Sequence, residues 1–385
     1  MMTTTAFVGA DIFDGARRRQ GMALIVRDGT VADIVADGEV PAEAETVRLD
    51  GGLLAPGFVD LQVNGGGGVM LNDRQDVATI RTICAAHAGF GTTALLPTLI
   101  TDRPAVSRAA VEAAAEAAAD GVAGLIGLHL EGPHLSPARK GAHDPALIRP
   151  MDDDDEAFLL AARKTLPALL VTLAPEAVAP ERIARLTTAG IVVSLGHSNA
   201  SYAAAAEAAE AGASMVTHLF NAMSQIANRE PGLVGAAIDL GALSAGLIAD
   251  GIHVDAANIR TALKAKSRPG RIFLVTDAMA TIGTTMESFT LNGRTIRRRE
   301  GRLTLEDGTL AGADLDMISA VRFMHRRIGV PLEEALRMAS LYPAQAMGID
   351  ARHGRLAPGT RADMVHLSDA LEIAGVWIGG RAAAR

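Results

Sequence analysis

Four residues carry the chemistry in this chain: Glu131, His197, His218 and Asp277. Each stands at the end of a short apolar run, in HLEGPH, LGHSN, VTHLFNAM and VTDAM. Two imidazoles and a carboxylate make a three-ligand set for a divalent metal that leaves a position open for water, as catalytic rather than structural zinc sites do. Such a metal brings a water's pKa toward ~7 and polarises a carbonyl. A second carboxylate beside it, Asp277, suits a general base that later returns the proton to a leaving group. A lone histidine at a strand end is more often structural, but four such residues at equivalent places argue for metal-dependent hydrolysis.

The elements that must position them are eight apolar runs: GFVDLQVN (57–64), TALLPTL (93–99), LIGLHLEGP (125–133), ALLVTLAPE (168–176), IVVSLGHS (191–198), SMVTHLFN (214–221), AGLIADGIH (245–253) and RIFLVTDAM (271–279). Each reads as a strand buried on both faces. Helical stretches separate them, among them the Ala-rich 107–121 and 201–212, which end at glycine. The alternation predicts an α/β fold, a closed (β/α)8 barrel of the TIM type, whose chemistry lies at the C-terminal strand ends. Glu131 then ends the third strand, His197 the fifth, His218 the sixth and Asp277 the eighth.

The ends of the chain read differently. Residues 1–53 alternate short β-rich runs with Asp-Gly and Gly-Gly turns, and 351–385 repeat the style. The expectation is a small β-sandwich built from both termini, flanking a barrel over residues 54–350. Residues 288–314 read as hairpins inserted after strand eight, and 314–348 as the closing helices.

Other residues receive bland readings. His129 shares a strand face with Glu131 but lies deeper, as barrel interior or support for the ligands. His134 and His143 fall in the loop after strand three. His87, His325, His353 and His366 read as structural or surface, and Cys84 as a small buried hydrophobe. The glycine run 64–68 is a tight loop at the barrel mouth, since it lacks the spacing of a phosphate or dinucleotide loop. No G-x-S-x-G elbow occurs. The acidic run 152–155 suits a helix start, and Arg297, Arg298 and Arg299 read as a solvated face.

Composition sets outer bounds. The 385 residues are 49% hydrophobic and carry a net charge of −8, which disfavours nucleic acid as a partner. One cysteine excludes an intrachain disulfide and fits a reducing cytoplasm. No apolar run is long enough to span a membrane, and the N-terminus has no signal-peptide pattern. A cytoplasmic enzyme is expected.

With these residues in place, the sequence resembles the amidohydrolase superfamily, and within it the N-acetylglucosamine-6-phosphate deacetylase family. The matching motifs are PGFVDLQVNGGGG, LHLEGPHLSPARKGAHDP, SLGHSNA, VTHLFNAM, NREPGLVGAA, ADGIHVD, VTDAM, GTLAGADLDM and RMASLYPAQAMG, spread from residue 56 to about 348. Many amidohydrolases carry His-x-His at the end of strand one. Here Gln62-Val63-Asn64 stands there, and two neutral amides argue for one metal per subunit with Gln62 as its neighbour. The resemblance implies hydrolysis of N-acetyl-D-glucosamine 6-phosphate to D-glucosamine 6-phosphate and acetate in amino-sugar metabolism. It implies zinc, with iron, cobalt or manganese as alternatives for the same ligands. It implies that Gln62, Ala142 and His143 contact substrate, with His143 near the acetyl carbonyl. Asn221 and Ala222 would meet the sugar phosphate. Arg229 and His253 would bind the phosphate from across a homodimer interface, and Leu310, Ala311 and Gly312 would form a closing loop. Two rivals stay open: the galactosamine epimer as substrate, and a non-catalytic scaffold on the same barrel.

Overall fold

A computed structural model describes residues 4–383. Eight parallel strands follow one another around the central sheet: β1 (Phe58–Val63), β2 (Thr92–Ile100), β3 (Leu128–Glu131), β4 (Leu169–Leu173), β5 (Val192–Leu195), β6 (Met215–Val216), β7 (Ser244–Ile248) and β8 (Ile272–Val275). Nearly every residue in these strands is buried, as the unbroken apolar runs require when helices cover one face and the barrel interior fills the other. The sheet closes where β8 ends. Val63 pairs with Ala278, the Asp277 N–H donates to Gln62 O at 3.0 Å, and the Asn64 N–H donates to Ala278 O at 2.8 Å. Closure therefore runs through the residues beside the chemistry. Below it, Asp60 of β1 accepts the Thr276 hydroxyl at 2.5 Å and the Thr276 N–H at 3.2 Å. Burial raises this carboxyl to about 7.

Among the outer helices are α1 (Val77–Ala88), α2 (Pro104–Ala119) and α3 (Asp153–Thr165). Asp152 caps α3 by accepting the Asp155 N–H at 2.9 Å, so the acidic run does begin a helix. Cys84 is buried inside α1, where burial pushes its thiol up to about 12.

Both termini enter one six-stranded sheet. Leu53–Pro56 pairs antiparallel with Met364–Leu367 and lies beside Asp11–Phe13. A four-stranded sheet of Thr30–Ala36, Met22–Arg27, Thr4–Val8 and Glu45–Arg48 forms the second layer. Phe7, Ile12, Leu24, Leu54 and Met364 fill the space between, and Trp377 meets Phe7 edge-on at 5.2 Å. The predicted sandwich of chain ends is present.

Three local departures stand out. The sixth strand is only two residues long, because left-handed backbone at His218, Phe220 and Ala222 turns the apolar VTHLFN away from the sheet. The closing helices are broken: Met317–Phe323 ends in a wide turn, Met324–Ile328, and Leu332–Ala339 stops at Ser340 before Leu341–Ala346. The inserted segment forms the expected hairpins, Ser288–Leu291, Arg294–Arg299, Arg302–Thr304 and Leu310–Ala313. Arg298, expected to be solvated with its neighbours, turns inward to Asp314 at 2.7 Å, while Arg297 and Arg299 stay exposed.

Candidate active site

The barrel mouth holds a cavity of about 520 Å³ lined by Asn64, Glu131, His143, His197, His218, Asn221, Ala222, His253 and Asp277, with Leu310 and Gly312 at its rim. His197, His218 and Asp277 do not lie in the strands themselves. They follow them with φ of 46°, 31° and 51°. Left-handed backbone at a non-glycine residue costs on the order of 1–3 kcal/mol and persists where its surroundings impose it. Here it swings each side chain from the strand line into the mouth.

Three donors converge. His218 Nε2 lies 3.1 Å from Glu131 Oε1, His197 Nε2 lies 3.2 Å from the same oxygen, and the two ring nitrogens are 3.0 Å apart. Metal–ligand bonds of roughly 2.0–2.2 Å in a tetrahedron place ligand atoms about 3.3–3.5 Å from one another. The set is therefore close to the edges of a metal polyhedron.

The ring tautomers follow from their partners. His197 Nδ1 faces the carbonyl of Arg139 at 2.8 Å, so it carries the proton and leaves Nε2 a bare lone pair. His218 Nδ1 is buried with no hydrogen-bond partner among the described residues. His143 is the opposite case. Its Nδ1 accepts the Thr101 N–H at 3.3 Å and faces the Thr101 hydroxyl at 2.7 Å. Its proton must sit on Nε2, which points toward Glu131 Oε2 at 3.9 Å. A Glu131–His143–His197 trio is also close enough to hold a metal. The tautomer argues otherwise: His143 offers a hydrogen, and His218 offers the tighter approach.

Burial alone would raise the Glu131 carboxyl, but the His197 and His218 rings beside it hold it well below the usual carboxylate range. Burial holds the His143 imidazole well below its usual value and so keeps it neutral. Asp277 is pushed up to about 6, first by burial and then by the charge of Glu131. Its Oδ1 accepts Asn64 Nδ2 at 2.7 Å. A buried carboxylate with a raised proton affinity is suited to taking and returning a proton near neutral pH.

The amidohydrolase family profile matches residues 53–383. The chain belongs to the amidohydrolase family. Among this family's members, it is 42% identical over 377 residues to the N-acetylgalactosamine-6-phosphate deacetylase of Shewanella sp. (strain ANA-3), covering 97% of this chain and 94% of that one. It is 36% identical over 362 residues to the N-acetylglucosamine-6-phosphate deacetylase of Haemophilus influenzae, covering 93% and 94%. The crystal structure of the Pasteurella multocida N-acetylglucosamine-6-phosphate deacetylase superposes with a TM-score of 0.95 at 37% identity, covering 99% of this chain and all of that one.

Within this amidohydrolase, several sequence expectations need adjusting. Gln62, read as a substrate contact, lies outside the cavity lining. It is buried and donates Nε2 to Glu131 Oε1 at 3.2 Å, so it aims the carboxylate. His253, expected across an interface, lines the cavity of its own chain, because Asp250 Oδ2 holds its Nδ1 at 2.6 Å. Arg229, expected to serve a partner's site, is exposed and lies outside its own chain's lining, which leaves that expectation as it stood. Ala311 is buried in an apolar cluster with Met279, Phe289 and Leu291, so only its neighbours reach the rim. The supposed closing loop is an edge strand tied down by the Ala313 N–H to Asp277 O at 2.8 Å. His129 is barrel interior, between the hydroxyls of Thr98 at 3.2 Å and Thr172 at 2.8 Å.

Two functional residues escaped the sequence reading. Asn64 was weighed only as a metal ligand, yet it fixes Asp277. Arg294, in the inserted hairpin, donates to the carbonyl of Ala142 and so holds the segment that carries His143. Neither has a sequence signal, since each acts across a large chain separation. Gly141 in that segment has φ +53°, and a Cβ there would lie 3.1 Å from His197 Cε1, so the loop approaches the ligand closely only as glycine.

Proposed function

We propose that this amidohydrolase is a metal-dependent deacetylase that hydrolyses N-acetyl-D-glucosamine 6-phosphate to D-glucosamine 6-phosphate and acetate. The observation that carries the chemistry is the convergence of Glu131 Oε1, His197 Nε2 and His218 Nε2 to within 3.0–3.2 Å of one another at the barrel mouth. The substrate rests on the names of its relatives. A divalent metal held by these three residues supplies Lewis acidity and lowers the pKa of water. Asp277, aimed by Asn64, takes the proton of the attacking water and delivers it to the departing amine. His143 donates its Nε2 hydrogen to the carbonyl oxygen as negative charge develops there. Ala142, Asn221, Ala222 and His253 bind the amino-sugar phosphate, His253 at the phosphate. Zinc suits the His2Glu set; Fe2+, Co2+ and Mn2+ suit it as well.

The active unit is a homodimer in this reading. Arg229 sits on an exposed segment together with Ile226, the exposed large hydrophobic residue of the described chain at 59%. An exposed arginine with no acceptor among the described residues suits docking onto a second subunit whose phosphate it reaches. No helix among the described residues is long and apolar enough to cross a membrane, and the single cysteine suits a cytoplasmic setting.

The 42% identity to a galactosamine-type relative favours a second reading, in which the 4-epimer is the better substrate. Acetate release from both epimers, before and after chelation and metal re-addition, tests both. Metal-dependent release with the larger kcat/KM on the glucosamine substrate is the expected result. A larger value on the galactosamine substrate selects the second reading, and no release from either with any of the four metals refutes both.

A further inference from the structure

The opposite end of the barrel, where the strands begin, holds a separate cavity of about 450 Å³. Thr93 at the start of β2, Ala168 just before β4, the turn after α2, residues 348–349 and 351–353, and Arg361 enclose it. Its charged lining is Arg352, His353 and Arg361, with no carboxylate among them, in a chain of net charge −8. A carboxylate behind the wall holds two of these side chains. Asp363, 5% exposed, accepts His353 Nδ1 at 3.1 Å on one oxygen, and Arg361 Nε at 2.9 Å and the Gly379 N–H at 2.7 Å on the other.

That arrangement fixes the two side chains and leaves their outer ends unused. His353 Nε2, the terminal nitrogens of Arg361 and the whole Arg352 guanidinium have no protein acceptor among the described residues. Val122, Leu125, Ile126 and Ile349 supply an apolar stretch of the wall. Two guanidinium groups and an imidazole lining a cavity with an apolar stretch of wall match how small ligands are oriented in proteins. Planar guanidinium groups favour carboxylate and phosphate oxygens.

We propose that this cavity is a binding site for a small organic anion. Its phosphate or carboxylate head sits on Arg352, His353 and Arg361, and its uncharged body lies against the apolar wall. The occupant bridges the barrel, through Thr93 and Ala168, and the terminal β-layers, through Arg361. Nothing in the deacetylation chemistry uses these residues, so the site stands or falls independently of that reading.

Calorimetric titration of inorganic phosphate, and separately of succinate, into the metal-loaded wild type, Arg352→Gln and Ala118→Phe tests the proposal. Arg352 is exposed and Ala118 lines the cavity, so the first variant removes a donor and the second fills the space. Anion binding at the catalytic mouth would be equal in all three proteins, so only the difference counts. The expected result is binding about tenfold weaker in Arg352→Gln, as for one lost charge-assisted bond, and absent in Ala118→Phe. That pattern with phosphate marks a phosphorylated ligand, and with succinate alone a carboxylate. Equal affinities in all three proteins for both anions would overturn the proposal. Unchanged deacetylation by Arg352→Gln serves as the control for its fold.

Discussion

Asp277→Asn removes the proton acceptor and little else. The amide oxygen can keep the 2.7 Å bond from Asn64, and its nitrogen then faces the cavity with no basicity. The backbone at 277 has φ 51°, a conformation that asparagine tolerates better than most residues. The substitution also deletes a carboxyl whose ionisation burial and Glu131 already oppose. The fold should therefore be no less stable. The chemical step loses general acid–base catalysis, put at about 10³-fold within the usual range, or about 4 kcal/mol at ~1.4 kcal/mol per decade. KM should change little, because the phosphate and acetyl contacts stay. Acetate release at saturating substrate gives kcat, elemental analysis gives the bound metal, and a thermal melt gives stability. A kcat within tenfold of wild type, with full metal content, would refute the role of Asp277 as the base. A loss of kcat that tracked a loss of metal would refute it differently, by making Asp277 a ligand.

Three further outcomes are expected. Asp60 has a folded pKa raised from 3.8 to about 7, so its neutral form is the favoured one; its contribution is intact below about pH 4 and is lost as pH rises through about 7. The melting temperature of Asp60→Asn relative to wild type should therefore climb across that window, and a pH-independent difference would contradict the assignment. Arg294→Met frees the Ala142 carbonyl and loosens the His143 segment, so kcat/KM should fall about tenfold, the value of one charge-assisted bond, while metal content stays constant; unchanged kinetics would reject this tether. Finally, Asp277→Asn and Arg229→Ala, each impaired alone, should complement when mixed and allowed to exchange subunits. A mixed dimer with two-fold symmetry has one intact site, so recovery should approach about a quarter of wild type, whereas no recovery would place Arg229 outside a shared site.

The barrel was legible because its strands are buried on both faces. Runs such as TALLPTL and RIFLVTDAM carry no alternation to confuse with a half-exposed sheet, and helices separate them regularly. The terminal sheets were legible for the opposite reason, through turn residues between short β-rich runs. What stayed hidden depended on contacts that leave no periodic trace. Ala142 and Arg294 meet only once the hairpin folds over the mouth. Nothing local tells that Gln62 serves Glu131 or that His253 turns inward toward its own cavity. VTHLFN looked like a longer strand because apolarity reports burial, and its His218 and Leu219 are buried in a turn rather than a ladder.

That turn also explains why the site itself could be read. A side chain in a barrel strand points either into the packed interior or out to the helices. Glu131 reaches the mouth from the last position of its strand, but a group placed beyond the strand must leave that alternation to reach it. His197, His218 and Asp277 do so by adopting left-handed backbone immediately past their strands. Elsewhere glycine fills most such positions at no steric cost, as the many positive-φ glycines of this chain do. A histidine or aspartate there gives up backbone comfort for the reach of its side chain. The sequence shows only the residue type at a strand end, and that was enough, because the chemistry requires a donor where the backbone would prefer glycine.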